Sequence, residues 1–521
     1  MTLAEHNKSC YAFAMKTIHL YWSRRDFRLI DNPALTAAIA GSTHGDGFFL
    51  PIFILEDYMT RAEPSKQFGY PQRQFLSRAL PKFAEHFTHF VIAQGKGAKT
   101  LQTFAKKAFA EGYAVRVHVN EDVYPDFYTQ VEKLKQAHVE IVVYPDQLTV
   151  AKETRSGSGT IYSVFTPFKK AVWKSFLTAS VLSRAPLEHA KYVPTALLAL
   201  FTKHVKAREQ DIMHVFSQER TCEVQGEKKH VLQLEELTGA APSMEGWYVS
   251  EAEAKHRFTH FLRTGLPAYA DTRDSLDIDA EEEGTSRMSL ALAWGLLSAR
   301  WMCAQIMEKT EGELLGVNWF SVPENLQGEV HYVSELIWRE FYKYLLFHKP
   351  ELLHEEFQAQ YRNTIRWEED DEALRRFTAW IAGKTGYPIV DAAMMQLART
   401  GWMHNRARMI VASVLTKNLG VDWRWGQEYF RAQLIDLDEA SNNGGWQWGA
   451  SVGADPKPIR IFNPYLQAKN YDPQGAYQKK WLSPERYAMS ALEHSLVPHE
   501  RARKDALKRY GIPERGPVRD F

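Results

Sequence analysis

The chain has 521 residues, of which 45% are hydrophobic and 24% are charged, proportions typical of a globular protein. This composition excludes an intrinsically disordered or fibrous protein. The formal charge of +1 leaves no general basic character, so any nucleic-acid-binding surface must be local. The three cysteines are far apart in the sequence and form no C-x-x-C pair, so we expect no metal site.

The longest apolar run is too short to span a membrane. It extends from about Met288 to Ala299, is interrupted by Ser289 and Gly295, and falls well short of the roughly 20 residues that a bilayer requires. The amino-terminal residues lack the apolar core of a signal peptide. We therefore expect a cytoplasmic protein with no membrane partner.

Residues 16–147 alternate short β-branched runs with helical stretches, which predicts an α/β domain with a five-stranded parallel sheet. The predicted strands are Thr17–Trp22, Phe48–Leu55, Phe90–Ala93, Ala114–Val119 and Glu140–Tyr144. A ligand of such a sheet lies beyond the carboxyl ends of its strands, where Asn120, Glu121 and Asp122 are found. A helix cap is the alternative interpretation of these three residues.

The rest of the chain is predicted to form a connection and a helical domain. Residues 148–245 are interpreted as a connection of irregular and helical pieces, in which the charged stretch 218–229 forms solvated surface. Residues 246–521 have helical periodicity and predict an all-helical domain, which contains 13 of the 15 tryptophans. Residues 1–14 are interpreted as a dispensable extension.

One helical stripe in this domain combines an acid, an indole and a guanidinium. Helical spacing places Glu335, Trp338, Arg339 and Tyr342 on the same face. The stripe predicts either a structural ion pair beside a core tryptophan or a pocket wall in which an aromatic ring stacks on a planar ligand.

A second stripe pairs an amide with a thioether. Asn405 and Met409 share a helix face, whereas Arg406 and Arg408 point elsewhere. This combination suits a nucleobase-like ligand, and a core methionine with an incidental polar neighbour is the alternative.

Two further segments are rich in ligand-binding residue types. Residues 436–448 contain acids, paired amides, tryptophans and the glycines Gly444 and Gly445, which we interpret as a close approach of the backbone to a ligand. Residues 284–289 offer hydroxyl and backbone N–H groups at a predicted helix start, which is suited to phosphate.

Several motifs together resemble the DNA photolyase/cryptochrome family, and most of all the class I photolyases that repair cyclobutane pyrimidine dimers. The resemblance extends from about residue 16 to residue 481. The matching strings are YWSRRDFRLIDNPAL from Tyr21, VFTPFK from Val164, ELIWREFY from Glu335, KTGYPIVDAAM from Lys384, GWMHNR from Gly401, NNGGWQW from Asn442 and RIFNP from Arg460.

The resemblance implies an α/β domain that holds an antenna chromophore and a helical domain that holds FAD, active as FADH−. Arg408 would pair with Asp436 near the isoalloxazine, Asp438 would contact its edge, and the amide of Asn442 would accept from the protonated N5 of the reduced ring. The other residues implied to bind the cofactor are Tyr269, Thr285, Ser286, Arg287, Met288, Ser289 and Tyr332.

The partner implied by the resemblance is ultraviolet-damaged DNA, with the dimer flipped out of the duplex into a pocket. The implied pocket residues are Glu335, Trp338, Asn405, Met409 and Trp448. The residues implied to contact phosphates around the pocket are Arg273, Arg339, Arg406, Arg460 and Gln467. The protein is expected to be a monomer of bacterial type, associated with the nucleoid, that needs no protein partner.

The implied reaction is electron transfer from excited FADH− to the dimer, ring splitting and return of the electron. A relay of Trp446, Trp423 and Trp367 would let light reduce oxidised flavin, with Trp380 as the alternative outer member and Trp425 beside the middle one. For the antenna, the polar pair Asn120 and Glu121 favours methenyltetrahydrofolate over a deazaflavin or a second flavin.

Two other functions remain open within the family. A cryptochrome, which signals without repair, shares the flavin site, but Trp338, Met409, Trp448 and Asn442 favour repair. A (6-4) photolyase is implied to need a pair of histidines, whereas this chain has Asn405 after His404. The preference for single- or double-stranded DNA is also undecided.

Overall fold

The computed structural model describes most of the chain. It covers residues 15–520 except 44–46, 61–67, 278–283, 455–458, 493–494, 514–518 and the single positions 138, 151, 202, 227, 320 and 369. The predicted extension at residues 1–14 lies outside the described residues. Within the described parts, no helix is both long and apolar enough to cross a membrane.

A mixed sheet forms the centre of the amino-terminal domain. Its strands are β1 Lys16–Ser23, β2 Phe48–Leu55, β3 Val91–Gln94, β4 Tyr113–Asn120, β5 Glu140–Tyr144 and β6 His204–Val205. The spatial order is β5-β4-β1-β2-β3-β6, and all pairings are parallel except that of β3 with β6. The apolar residues on both faces of the strands are covered by helices on each side.

The α/β fold class is confirmed, but the predicted strand count is wrong by one. Strand β6 has only two residues and comes from the stretch interpreted as connection. Two residues are too short for a period-two pattern to be recognised. The helices of this domain are α1 Pro33–Thr43, α2 Asp57–Thr60, α3 Tyr70–Ala84, α4 Gly97–Ala110 and α5 Pro125–Gln136.

The connection contains a β-hairpin that the sequence analysis missed. Strands β7 Thr221–Gln225 and β8 Lys229–Gln233 pair antiparallel, and Cys222 and Val224 are buried beneath them. The interpretation of residues 218–229 as solvated surface is therefore wrong for this strand, because alternate side chains pack inward. The helices here are α6 Phe165–Leu177, α7 Glu209–Val215 and α8 Leu234–Thr238.

In the described parts of residues 246–520, the regular secondary structure is helical apart from two very short strands. These strands, β9 Arg460–Ile461 and β10 Arg519–Asp520, pair parallel. The helices are α9 Glu251–Thr264, α10 Tyr269–Thr272, α11 Ser289–Trp294, α12 Ala299–Lys309, α13 Gln327–His348, α14 Asp370–Ile381, α15 Pro388–Thr400, α16 Asn405–Ser413, α17 Trp423–Gln433, α18 Glu439–Gly449, α19 Pro464–Tyr471, α20 Ala476–Trp481, α21 Pro484–Leu492 and α22 His499–Arg509.

Buried ion pairs join the α/β domain to the helical domain. Asp146 accepts from Arg28 at 2.5 Å and from Arg300 at 2.7 Å, and Arg300 also contacts Asp31 at 2.8 Å. Burial alone would raise the pKa of Asp146, but the two guanidinium groups hold it below its usual value. A shared apolar core continues across this interface, so the two domains pack as one body.

Candidate functional site

Helix α18 is the central element of the candidate site. It packs against α13, α16 and α17, which carry nine of the other expected site residues. A Cβ atom at Gly444 would lie 2.1 Å from Cδ1 of Tyr342, so this glycine is required for contact between α18 and α13. The interpretation of Gly444 as a close approach to a ligand is therefore wrong, whereas Gly445 faces open space.

Two of the expected flavin-binding residues and one expected relay tryptophan have buried polar atoms that make no hydrogen bond to the described residues. These atoms are Oδ1 of Asn442, Oγ1 of Thr285 and Nε1 of Trp446. The Asn442 amide nitrogen donates to Gln427 O at 3.2 Å, which fixes the side chain and leaves its carbonyl oxygen as an acceptor. Because buried polar atoms are rarely left unpaired, these residues fit a polar ligand such as FAD.

A second part of the site is a buried arginine–aspartate pair. Arg408 donates to both carboxylate oxygens of Asp436, at 3.1 and 2.8 Å, and its Nε donates to Met403 O at 2.8 Å. The carboxylate is fully buried, so the pair is satisfied internally. This is the pairing that the resemblance implies, and its position beside a flavin remains a prediction.

Asp438 has a partner that the sequence analysis missed. Its Oδ1 accepts from Ser441 N at 2.9 Å and caps α18, while its Oδ2 contacts Nζ of Lys343 at 2.6 Å. Burial lowers the pKa of Lys343, and Asp438 opposes that shift. Burial would raise the pKa of Asp438, but Lys343 holds it well below the usual value. Lys343 lies one position outside the predicted stripe, so its role was not visible from helical spacing.

The segment expected to bind phosphate is tied to neighbouring aromatic residues. Ser286 Oγ hydrogen-bonds to Tyr332 at 2.9 Å and accepts from Met288 N at 3.2 Å, and the Tyr332 ring lies 5.1 Å from that of Tyr269. Arg287 has a φ of 54°, and its guanidinium lies 4.9 Å from the ring of Trp402. Ser289, which begins α11, accepts from the indole of Trp402 at 3.4 Å.

On the expected DNA side, four charged residues form a continuous chain. Glu335 accepts from Arg273 at 2.5 Å, Arg273 contacts Asp274 at 3.7 Å, and Asp274 contacts Arg406 at 2.7 Å. Asp274 was not identified from the sequence, because it belongs to no helical stripe. Two of the arginines expected to bind phosphate are thus already partly neutralised by carboxylates.

The chain of charges borders a half-buried indole. Trp338 stacks on Phe165 with ring centroids 3.6 Å apart and planes inclined by 7°. One face of Trp338 is therefore covered by the connection, and a substrate could use only the other face. Lys169 of α6 reaches Ser334 Oγ at 3.4 Å beside Glu335. Phe165 and Lys169 belong to the VFTPFK string, for which the sequence predicted no functional role.

The other expected pocket residues form two local groups. Asn405 and Met409 touch, with Nδ2 3.9 Å from Sδ, and Trp448 lies beneath the guanidinium of Arg460 at 4.9 Å. Gln467 is buried, and its Oε1 makes no hydrogen bond to the described residues.

Arg339 turns away from these groups. Its Nη2 donates to the side chain of Gln147 at 3.2 Å, at the boundary with the α/β domain. For the five residues expected to contact phosphates, this role remains a prediction: Arg273, Arg339, Arg406, Arg460 and Gln467.

The expected relay tryptophans differ in burial. Trp446 and Trp423 are buried, and Trp367 is half-buried with its ring 6.1 Å from that of Tyr510. The indole of Trp423 donates to Glu356 at 3.3 Å. The alternative residue Trp380 is fully buried and lies 6.0 Å from Trp446.

Asn120 uses its polar atoms within the protein. Its amide donates to Asp26 and Asn32 at 2.7 and 2.8 Å, and its carbonyl oxygen accepts from Ala34 N at the start of α1. Glu121 contacts Lys152 at 2.6 Å and Tyr128 at 3.1 Å. The antenna role of the pair remains a prediction, and Asn120 performs the helix-capping function given as the alternative.

Comparison with known proteins agrees with this arrangement. The family model described as DNA photolyase matches residues 19–189, and that described as FAD binding domain of DNA photolyase matches residues 332–512. A deoxyribodipyrimidine photo-lyase of Vibrio cholerae is 31% identical over 95% of this chain and 99% of its own length. One from Synechococcus is 35% identical over 89% of this chain and 87% of its own.

The fold agrees as well. A bacterial class III photolyase from Agrobacterium tumefaciens superposes with a TM-score of 0.72 and 27% identity, covering 95% of this chain and 97% of that one. With matches to both domains and relatives of this identity across nearly the whole length, the chain belongs to the DNA photolyase family.

Proposed function

We propose that this protein repairs cyclobutane pyrimidine dimers in DNA with light, using FAD bound in the helical domain. The observation that carries the proposal is the buried, unpaired Oδ1 of Asn442, in the same helix as Trp448. The two residues are six positions apart, which corresponds to about 9 Å along the helix axis. Helix α18 thus connects the expected flavin-binding region with the expected lesion pocket.

The chain's residues have distinct tasks in this reaction. When bound, reduced FAD supplies the photoexcited electron. Asn442 accepts a hydrogen bond from the ring, and Arg408 with Asp436 places a fixed positive group near it. The face of Trp338 opposite Phe165 and the indole of Trp448 exclude water around the flipped dimer. Glu335 hydrogen-bonds the pyrimidine edge, and Arg273 holds its carboxylate in position.

The direct test illuminates the reduced holoprotein with a thymine-dimer oligonucleotide and measures recovered thymines. We expect Glu335→Ala to lower the repair yield by about tenfold while flavin occupancy stays unchanged. Glu351→Ala, at an exposed glutamate just beyond α13, serves as the matched control and should repair normally. Failure of the wild-type protein to restore thymines would overturn the proposal.

The same illuminated holoprotein, tested with oligonucleotides that carry either lesion, distinguishes the two other functions of the family. A cryptochrome would show flavin photochemistry without repair of any lesion. A (6-4) photolyase would repair the (6-4) oligonucleotide and leave the cyclobutane dimer intact. The single His404 disfavours the second function, because it is buried and its Nδ1 accepts from Arg406 N at 3.1 Å.

For the antenna we propose methenyltetrahydrofolate, bound near Glu121 at the junction of the two domains. Support comes from the neighbouring ring of Phe347 in α13, which lies 5.9 Å from Tyr128 and 5.3 Å from the ammonium of Lys152. Release of the chromophores from purified protein and their identification by absorption and mass would test this assignment. A deazaflavin or a second flavin would contradict it.

A further inference from the structure

The four charged residues beside the expected lesion pocket alternate in sign along one continuous chain. In order they are Glu335, Arg273, Asp274 and Arg406, with contacts of 2.5, 3.7 and 2.7 Å. The two carboxylate side chains are 32% and 35% exposed, whereas the two arginine side chains are 18% and 12% exposed. A DNA phosphate that approaches this cluster therefore meets a carboxylate at least as readily as a guanidinium, and the four formal charges sum to zero.

Arg406 lies at one end of the chain, opposite Glu335 at the other. Its Nη2 donates to Oδ2 of Asp274 at 2.7 Å, and its guanidinium lies 4.2 Å from the ring centroid of Tyr471. Because this guanidinium already has a carboxylate partner, a phosphate can pair with it fully only by displacing Asp274. Asp274 thus competes with DNA for Arg406.

We propose that Asp274 is a specificity-determining residue that withholds Arg406 from DNA until a base occupies the pocket. The proposal rests on the proposed function, in which Glu335 hydrogen-bonds the edge of the flipped pyrimidine. That hydrogen bond weakens the hold of Glu335 on Arg273. Arg273 then pairs more closely with Asp274, which it already contacts at 3.7 Å, and Arg406 becomes available to a phosphate beside the lesion.

Undamaged duplex DNA should leave the chain of ion pairs intact. Its bases stay stacked and paired, so none of them reaches Glu335. Arg406 then remains with Asp274 and adds no phosphate contact. Since each phosphate contact adds about 0.9 to the salt slope of log K, the wild-type slope should be steeper by about 1 for dimer-containing DNA than for undamaged DNA.

The test measures binding in the dark of the FAD-loaded full chain to matched oligonucleotides with and without one thymine dimer, over a range of salt. In Asp274→Asn, the slope for undamaged DNA should become steeper by about 1, and affinity for it at about 0.1 M salt should rise by about tenfold. Affinity for the dimer oligonucleotide should change by less than about threefold, because Arg406 is already released in that complex. Discrimination between the two DNAs should therefore decrease.

Two further variants isolate the contact. Asp271→Asn is the matched control, because it removes one negative charge from an exposed position of the neighbouring helix α10. It should change the affinities for the two DNAs equally. Arg406→Gln should lower the slope for dimer-containing DNA by about 1 and leave that for undamaged DNA unchanged.

Three results would overturn the role of Asp274. The first is an equal rise in affinity for both DNAs in Asp274→Asn, the second is an unchanged slope for undamaged DNA in that variant, and the third is an unchanged slope for dimer-containing DNA in Arg406→Gln. A misfolded variant does not imitate the expected result, since damage to the site does not tighten binding of undamaged DNA. Repair by the illuminated wild-type protein is measured separately and decides the proposed function, whereas the dark measurements decide the role of Asp274.

Discussion

Lys343→Met should destabilise the helical domain strongly, because it leaves a buried carboxylate without its counter-ion. The Lys343 side chain is 2% exposed and that of Asp438 is 13% exposed, with Nζ and Oδ2 2.6 Å apart. Methionine has nearly the length of lysine and an apolar stem, so little packing is lost. Removing one partner of such a pair costs about 3–5 kcal/mol in unfolding free energy.

The double variant Lys343→Met/Asp438→Asn separates charge from packing. Asparagine caps a helix as well as aspartate does, so the bond to Ser441 N is kept and no charge is buried. We expect this variant to be within about 1 kcal/mol of the wild type. The contribution of the pair should also be present above the usual aspartate pKa of 3.8 and be lost as the pH falls below it, because the folded pKa is lowered.

Urea unfolding of the flavin-free protein, followed by tryptophan fluorescence, measures both variants. Amide hydrogen exchange in α18 reports whether the loss is local to the capped helix. Lys133→Met, at an exposed position of α5, is the matched control and should change stability by less than about 0.5 kcal/mol. A cost below about 1 kcal/mol for the single variant, or no recovery in the double, would refute the reasoning.

Three further predictions follow from other parts of the molecule. Gly444→Ala should cost about 1–3 kcal/mol in thermal unfolding, since its methyl group would collide with Tyr342, whereas Gly445→Ala should be tolerated. Burial lowers the pKa of His404 to about 4 from 6.5. The free energy of unfolding should therefore decrease by about 3 kcal/mol as the pH falls from 6.5 to 4. An equally steep decrease in His404→Asn would contradict this. Binding of dimer-containing DNA should weaken with salt at a slope of log K against log salt of about −2 to −4, and Arg460→Gln should reduce the slope by about 1.

The parts of the fold that the sequence predicted are those with a strong local signal. The strands Phe48–Leu55 and Glu140–Tyr144 have the predicted bounds, because long apolar runs between turn residues leave few alternatives. The hairpin at residues 221–233 was missed because polar residues, only one of them charged, alternate with the two buried residues of its first strand. Its inward face is created by packing against α17, which no local pattern reveals.

In the candidate site too, the residues with a local sequence pattern were predicted and those without one were missed. Glu335, Asn405 and Met409 could be placed on helix faces from their spacing alone. Asp274 and Lys343 could not, because their importance arises from partners 132 and 95 positions away in the chain, Arg406 and Asp438. Long-range charge pairing of this kind is set by the tertiary fold and leaves no periodic signature.

The loop that precedes α18 is held by the amino-terminal domain. Arg25 donates to Leu437 O at 2.7 Å, and the hydroxyl of Tyr124 accepts from Glu439 N at 2.6 Å, on either side of Asp438. The residues expected to contact the isoalloxazine edge are thus anchored to the α/β domain, the part of the molecule for which we propose an antenna chromophore. A helical fragment expressed alone would lack both hydrogen bonds. Heating that separates the two domains should therefore release the flavin at a lower temperature than that at which the helices unfold.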